Sequence, residues 1–239
     1  MDHEITHLLT EWPFEPDQLN VREVTAADGR RLIQVRVELG LLQFETAGRP
    51  DGVRPNDHLT LLEALDKARL QHEAVTGAEP FRLDEPMAAA LRDEAAIFHQ
   101  RYVAYLSLED FDEVVRDTTH SLAIFSFCNT YGSTDQDRDV LEPLRPRVVA
   151  TRARAQAASL IRDGHAKAAM DAISTAVDEL CELGSDLPEI ALLEGMRDVL
   201  IPKLPSSERY ELEQRLSAAI DAENYELAAI LRDELRMMK

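Results

Sequence analysis

A chain of 239 residues that is 45% hydrophobic and 30% charged is long enough to bury a substantial core, which argues against disorder along its whole length. Twenty-six basic residues against forty-five acidic ones give a formal charge of −19, which repels a phosphate backbone unless basic side chains are locally concentrated. Aromatics are only 5% while alanine and leucine recur in runs, a balance that fits helix packed on helix rather than an all-β sandwich.

Taken in chain order, Trp12-Pro13-Phe14 and Pro16 predict a short helix followed by an extended anchor. In Leu32 to Leu39, Ile33, Val35, Val37 and Leu39 alternate with Gln34, Arg36 and Glu38, the period of a half-buried strand. Asp28-Gly29 turns the chain back to Val21–Val24, and a third run, Leu41 to Thr46, ends at Gly48-Arg49-Pro50-Asp51-Gly52; Arg49 there is expected in a plain turn. The result is a three-stranded antiparallel meander within residues 1–56, whose apolar face requires cover by the helices that follow.

From Leu59 the period becomes helical. Leu61, Leu62, Leu65, Ala68 and Arg69 open a helix that fails at Gly77 and Pro80; a second runs from Pro86 to Leu106 with Leu91, Ala95, Phe98, Tyr102 and Tyr105 as its stripe. Loosely repeated helical hairpins follow. The first reaches Phe111–Phe127 through Leu108-Glu109-Asp110. The second joins Ala153–Ile161 to Ala168–Leu180 through Asp163-Gly164-His165, and the third joins Leu212–Ile220 to Tyr225–Met238 through Glu223-Asn224. Ala157, Leu160, Gly164, Ala169 and Ile173 fall near the positions of a tetratricopeptide repeat, without its bulky aromatics. A polar loop, Gly132 to Asp135, separates the first two hairpins. A helix at Leu187–Leu200 ends before Pro202 and Pro205, in the candidate linker Ile201–Ser207. The expected fold is α+β, mostly α, with a helical region at 57–200 and a C-terminal hairpin at 206–239.

Candidate chemistry is sparse. His3-Glu4-Ile5-Thr6-His7 matches HExxH, in which two histidines four apart on a helix face one zinc and the glutamate polarises its water. Its place at a fraying chain end, with no third-ligand continuation after His7, makes a zinc hydrolase only a minor alternative. His58, His72, His99, His120 and His165 have no ligand spacing and read as surface or half-buried side chains. Asp135, Asp137 and Asp139 lack the glycine and terminal glutamate of an EF-hand and read as a solvated helix start. Arg145, Arg147, Arg152 and Arg154 read as a solvated face, so direct nucleic-acid binding is not expected. Cys128 and Cys181 read as small buried residues in a reducing compartment. Without a phosphate loop, a basic leader or a long apolar run, we expect no catalytic residue, metal or cofactor, and a non-enzymatic protein residing in the cytoplasm off the membrane.

The last hairpin carries the most information. Leu212, Leu216, Ile220, Leu231 and Leu235 recur as one stripe, and Ala228 and Ala229 permit close backbone approach. Helices this short are marginal in water alone, so the stripe must be buried against something. Ala219, Glu223, Tyr225, Glu226, Ala228, Ala229, Leu231, Arg232 and Asp233 stand at the characteristic positions of the UVR motif, which this segment resembles and which was first described as shared by the UvrB and UvrC excision-repair proteins. The resemblance implies docking on a protein partner, with Leu216, Ala219, Ile220, Glu223, Tyr225, Glu226, Ala228, Ala229, Leu231, Arg232, Asp233 and Leu235 as the binding residues; the partner is unspecified and self-association stays open. A helical-repeat scaffold or chaperone-like protein is the alternative.

Overall fold

The computed structural model describes residues 4–77, 79–200, 215–220, 224 and 227–232; the expected linker at 201–207 lies outside them. In chain order the elements are α1 Thr6–Glu11, β1 Asn20–Thr25, β2 Arg31–Val37, β3 Gly40–Glu45, α2 Leu61–Thr76, α3 Glu85–Ser107, α4 Phe111–Tyr131, α5 Asp135–Asp139, α6 Arg145–Arg162, α7 Ala166–Leu183 and α8 Pro188–Leu200. The fold is α+β and mostly α.

The sheet has the order β1-β2-β3, antiparallel throughout, with Ile33 opposite Phe44 and Val35 opposite Leu42. Ile33, Val35 and Phe44 pack on Tyr102 and Tyr105 of α3, Val114 of α4 and Ala155 of α6, so helices cover the apolar face as its burial demands. The alternation read from the sequence holds only in part. Leu32 and Arg36, on the opposite face of β2, are also buried, whereas Val37 is half exposed and Leu39 is 87% exposed. The strand ends at Val37, so Leu39 falls in the hairpin tip, where the two-residue period no longer applies. The outer face is covered by the N-terminal anchor: Arg36 donates through Nε to the Trp12 carbonyl at 3.0 Å, and the Arg22 guanidinium lies over the Trp12 ring, 4.2 Å from its centroid.

The long helices pack in sequence, α3 on α4, α4 on α6, α6 on α7 and α7 on α8, around a core that includes Leu91, Phe125, Val149, Ile173, Leu180 and Leu193. Their starts follow from local chemistry. The Thr60 hydroxyl caps α2 by accepting from the Glu63 amide at 3.1 Å, and the Asp84 carboxylate caps α3 by accepting from Met87 at 2.8 Å. Helix α6 begins at Arg145 rather than near Ala153, because Pro146 occupies its first turn. Among the described residues no helix is long and apolar enough to cross a membrane.

Several local expectations change. Cys128 is buried, and burial pushes its thiol up to about 11, but Cys181 is exposed. Asp137 is buried rather than solvated, and Arg92 donates to it at 3.1 Å. Arg145 and Arg152 are held by Glu142 and Glu179, at 2.6 and 2.7 Å. Helix α1 starts at Thr6, so Glu4 and Ile5 precede it; His3 lies outside the described residues. The HExxH match therefore does not sit on one continuous helix, which its i, i+4 geometry requires.

Candidate functional site

The three predicted hairpins turn in the same way. The amide of Asp110 donates to the Tyr105 carbonyl at 3.0 Å, that of His165 to Leu160 at 2.7 Å, and that of Asn224 to Ala219 at 2.8 Å. Each is a six-to-one bond of the kind that closes a helix, and in the first two turns it encloses a left-handed residue. The carbonyl of the same residue then takes the first bond of the next helix, from Val114 at 3.2 Å, Ala169 at 3.0 Å and Ala228 at 3.0 Å. Those three residues are all buried, so one turn geometry sets a small side chain into the seam between two helices.

Gly164 supplies the left-handed position in the second turn with φ of 82°, but Glu109 occupies it in the first with φ of 56°. A side chain there costs about 1–2 kcal/mol, offset in part by the extra freedom glycine gives the unfolded chain. Glu109→Gly is therefore expected to raise stability by about 0.5–1 kcal/mol, read from the urea midpoint at constant slope. A lower midpoint would show that the Glu109 side chain makes a contact worth more than the strain.

In the C-terminal hairpin, residues 215–220 and 227–232 are helical. The Asn224 side-chain oxygen accepts from the Leu227 amide at 3.2 Å, an asparagine N-cap for the second arm. Ala219, Ala228 and Leu231 are buried together, with Leu216 partly buried against them, in a cluster separate from the two clusters of the rest of the chain. Small residues at 219 and 228 bring the arms close enough for Leu231 to fill the seam.

The predicted binding residues divide accordingly. Leu216, Ala219, Ala228 and Leu231 come together inside the hairpin. Ile220 stays 51% exposed, and Ala229 and Arg232 are also exposed. Glu223, Tyr225, Glu226, Asp233 and Leu235 lie outside the described residues. Leu227 and Ile230, three positions apart and thus on one side of the second arm, are 38% and 56% exposed. The sequence reading placed Ile220 in one stripe with Leu216 and Leu231, but the seam takes Leu216 and Leu231 and turns Ile220 outward.

Two polar centres went unread in the sequence. The Arg101 guanidinium of α3 is fully buried and meets Asp117 of α4 through two bonds of 2.7 Å. It also donates to the carbonyls of Glu45 and Gly48, at 2.7 and 2.9 Å. Glu94, on the same face of α3, accepts from Arg49 at 3.1 Å, from the Leu61 and Leu62 amides at 2.7 and 3.1 Å, and from His120 at 3.1 Å. These centres fasten α2, α4 and the end of the sheet onto α3 and present no open face for a substrate. A signal existed, since Glu94 and Arg101 fall seven apart within the stripe of Leu91, Ala95, Phe98, Tyr102 and Tyr105, where a charge needs a buried partner. Among the described residues no group of three or more His, Cys, Asp or Glu side chains is placed to hold a metal ion.

Set beside known proteins, residues 209–239 match the family model of the UvrB/uvrC motif, UVR. The match takes in both arms and the Asn224 cap. No curated protein and no solved structure matches the chain.

Proposed function

We propose that the chain is a non-catalytic adaptor of the cytoplasm whose C-terminal hairpin docks on another protein. The observation that carries this reading is the division of apolar side chains within the motif. The seam between the arms is filled by the hairpin's own Ala219, Ala228 and Leu231, while Ile220, Leu227 and Ile230 remain 51%, 38% and 56% exposed. A motif that satisfied itself would have no use for that outer set, whose position suits an interface. Free Cys128 and Cys181 fit a reducing compartment. A formal charge of −19 favours a protein partner over direct contact with nucleic acid. The scaffold reading stands second, favoured by the turn geometry that the three hairpins share.

Burying the exposed parts of Leu227 and Ile230 contributes about 2–3 kcal/mol, which corresponds to a factor of about 30–150 in affinity. Leu227→Asp with Ile230→Asp in the full chain is therefore expected to strip the partner from an affinity capture while leaving the thermal midpoint of the body unchanged. A chain ending at Ser206 should lose the same partner. Identical partner lists for all three forms would remove the hairpin from the explanation.

A further inference from the structure

We propose a second binding site, in the groove between α3, α6 and α8, that takes an extended acidic peptide carrying one apolar anchor; it rests on the helical body and not on the hairpin. The groove encloses about 420 Å3, with Leu106 of α3, Arg147 and Arg154 of α6, and Leu192 of α8 among its walls. Beside it lies an apolar slot of about 230 Å3 between α3, α4 and α6, lined by Ala95, Phe125 and Val148 among others. His99, Tyr102 and Arg147 belong to the walls of both. An apolar cavity of about 150 Å3 already accommodates a benzene ring, so the slot admits one leucine or phenylalanine side chain.

The charge at the groove runs against the charge of the molecule. On α6 itself, Arg145 and Arg152 are paired with Glu142 and Glu179. Among the described residues, no carboxylate lies within ion-pair distance of Arg147 or Arg154. Both are exposed, in a chain of net charge −19. Seven positions on a helix is close to two turns, so the two guanidinium groups share a face about 10 Å apart along the axis. A polyproline-like segment places side chains i and i+3 on one side about 9 Å apart. Two acidic residues at that spacing match the two arginines. At the slot mouth the Tyr102 hydroxyl and His99 Nδ1 lie 2.6 Å apart, a polar rim around an apolar interior. Across the groove, Glu189 of α8 offers an acceptor to a ligand amide. Nucleic acid is the poorer fit, because its backbone would face the remaining negative surface and the aromatic at the mouth, Tyr102, is buried.

The test selects random phage-displayed peptides on the full-length protein and measures the winners by fluorescence anisotropy. Selected sequences are expected to carry one apolar residue beside two acidic residues three apart. Arg147→Glu with Arg154→Glu should weaken them by about tenfold or more for each arginine. Ala96→Trp, at an exposed position lining the slot, should give a comparable loss without changing charge, and Arg147→Lys with Arg154→Lys should retain much of the binding. Thermal melts of each variant, expected to match the parent, separate loss of the site from loss of fold. Leu227→Asp with Ile230→Asp should bind the selected peptides unchanged, so failure of the hairpin reading leaves this result standing. A selected pool without acidic enrichment overturns the proposal, as does binding that survives both the charge reversal and Ala96→Trp. Binding of a labelled single-stranded oligonucleotide in place of the peptides, or loss of the peptides in the hairpin variant, overturns it too.

Discussion

Asp117→Ala is expected to cost the folded chain about 3–5 kcal/mol, because it leaves the Arg101 guanidinium buried without its counter-charge. Arg101 is 1% exposed and Asp117 fully buried, and two parallel bonds of 2.7 Å join them, the bidentate geometry that makes such pairs strong. The other Arg101 bonds, to the carbonyls of Glu45 and Gly48, tie the end of β3 to the helices. A guanidinium that shifts toward solvent gives these up as well. For a domain of this size each kcal/mol moves the midpoint by about 2–4 °C, so the thermal transition should fall by roughly 10 °C. Asp117→Asn keeps one acceptor and should fall less. Replacing both partners by apolar residues removes the stranded charge but orphans the two carbonyls, at about 1–3 kcal/mol each, so full recovery is not expected. A loss below about 1 kcal/mol for Asp117→Ala would put the pair in the class of surface ion pairs and defeat its role as the joint between sheet and helices.

Legibility of the fold tracked how local each determinant is. Strand alternation at Ile33 and Val35, the turns at Asp28-Gly29 and Gly48–Gly52, and the onset of helix at Leu61 and Pro86 depend on neighbours within a few residues, and the chain states them directly. The burial of Arg36 depends on Trp12 arriving from more than twenty positions away, and alternation cannot express a strand covered on both faces. The start of α6 was missed for a nearer reason. Pro146 suits the first turn of a helix, but the apolar pattern becomes regular only after it.

The hairpin was visible as a motif but not as a surface. Leu216, Ile220 and Leu231 all fit an i, i+3, i+4 stripe, yet helices of so few turns with apolar residues on two sides do not declare which set is internal. Ala228, four residues after the capping Asn224, fixes the answer, since the turn geometry also found at Val114 and Ala169 sets that position into the seam. Asn224 itself was read only as part of a turn. Glu94 and Arg101 form no cluster in the sequence, because their partners Arg49, His120 and Asp117 come from a distant loop and from α4.

Glu94 leads to the second large effect, which depends on pH. Burial works against its charged form, but the His120 hydrogen bond and the amides of Leu61 and Leu62 outweigh that and hold the carboxyl below its ordinary value of 4.5. Those amides open α2, where the backbone donors have no partner within the helix and the dipole favours a negative charge. With Thr60 serving Glu63, the start of α2 is satisfied from two elements. A group whose pKa is lower folded than unfolded contributes stability that is present above the unfolded value and lost as the pH falls through the folded one. The contribution of Glu94 is thus complete near neutrality and disappears below about pH 4.5. Glu94→Gln presents an amide donor to a site made of donors and is expected to cost about 2–3 kcal/mol at pH 7. Other carboxylates with lowered values, Asp51 among them, give parent and variant a shared acid dependence. The difference between their urea-unfolding free energies should therefore shrink between pH 6 and pH 3.5 as Glu94 takes up its proton. A difference that stays constant across that range would mean that the Glu94 carboxyl titrates alike in the folded and unfolded chain, and the charged cap on α2 would have to be abandoned.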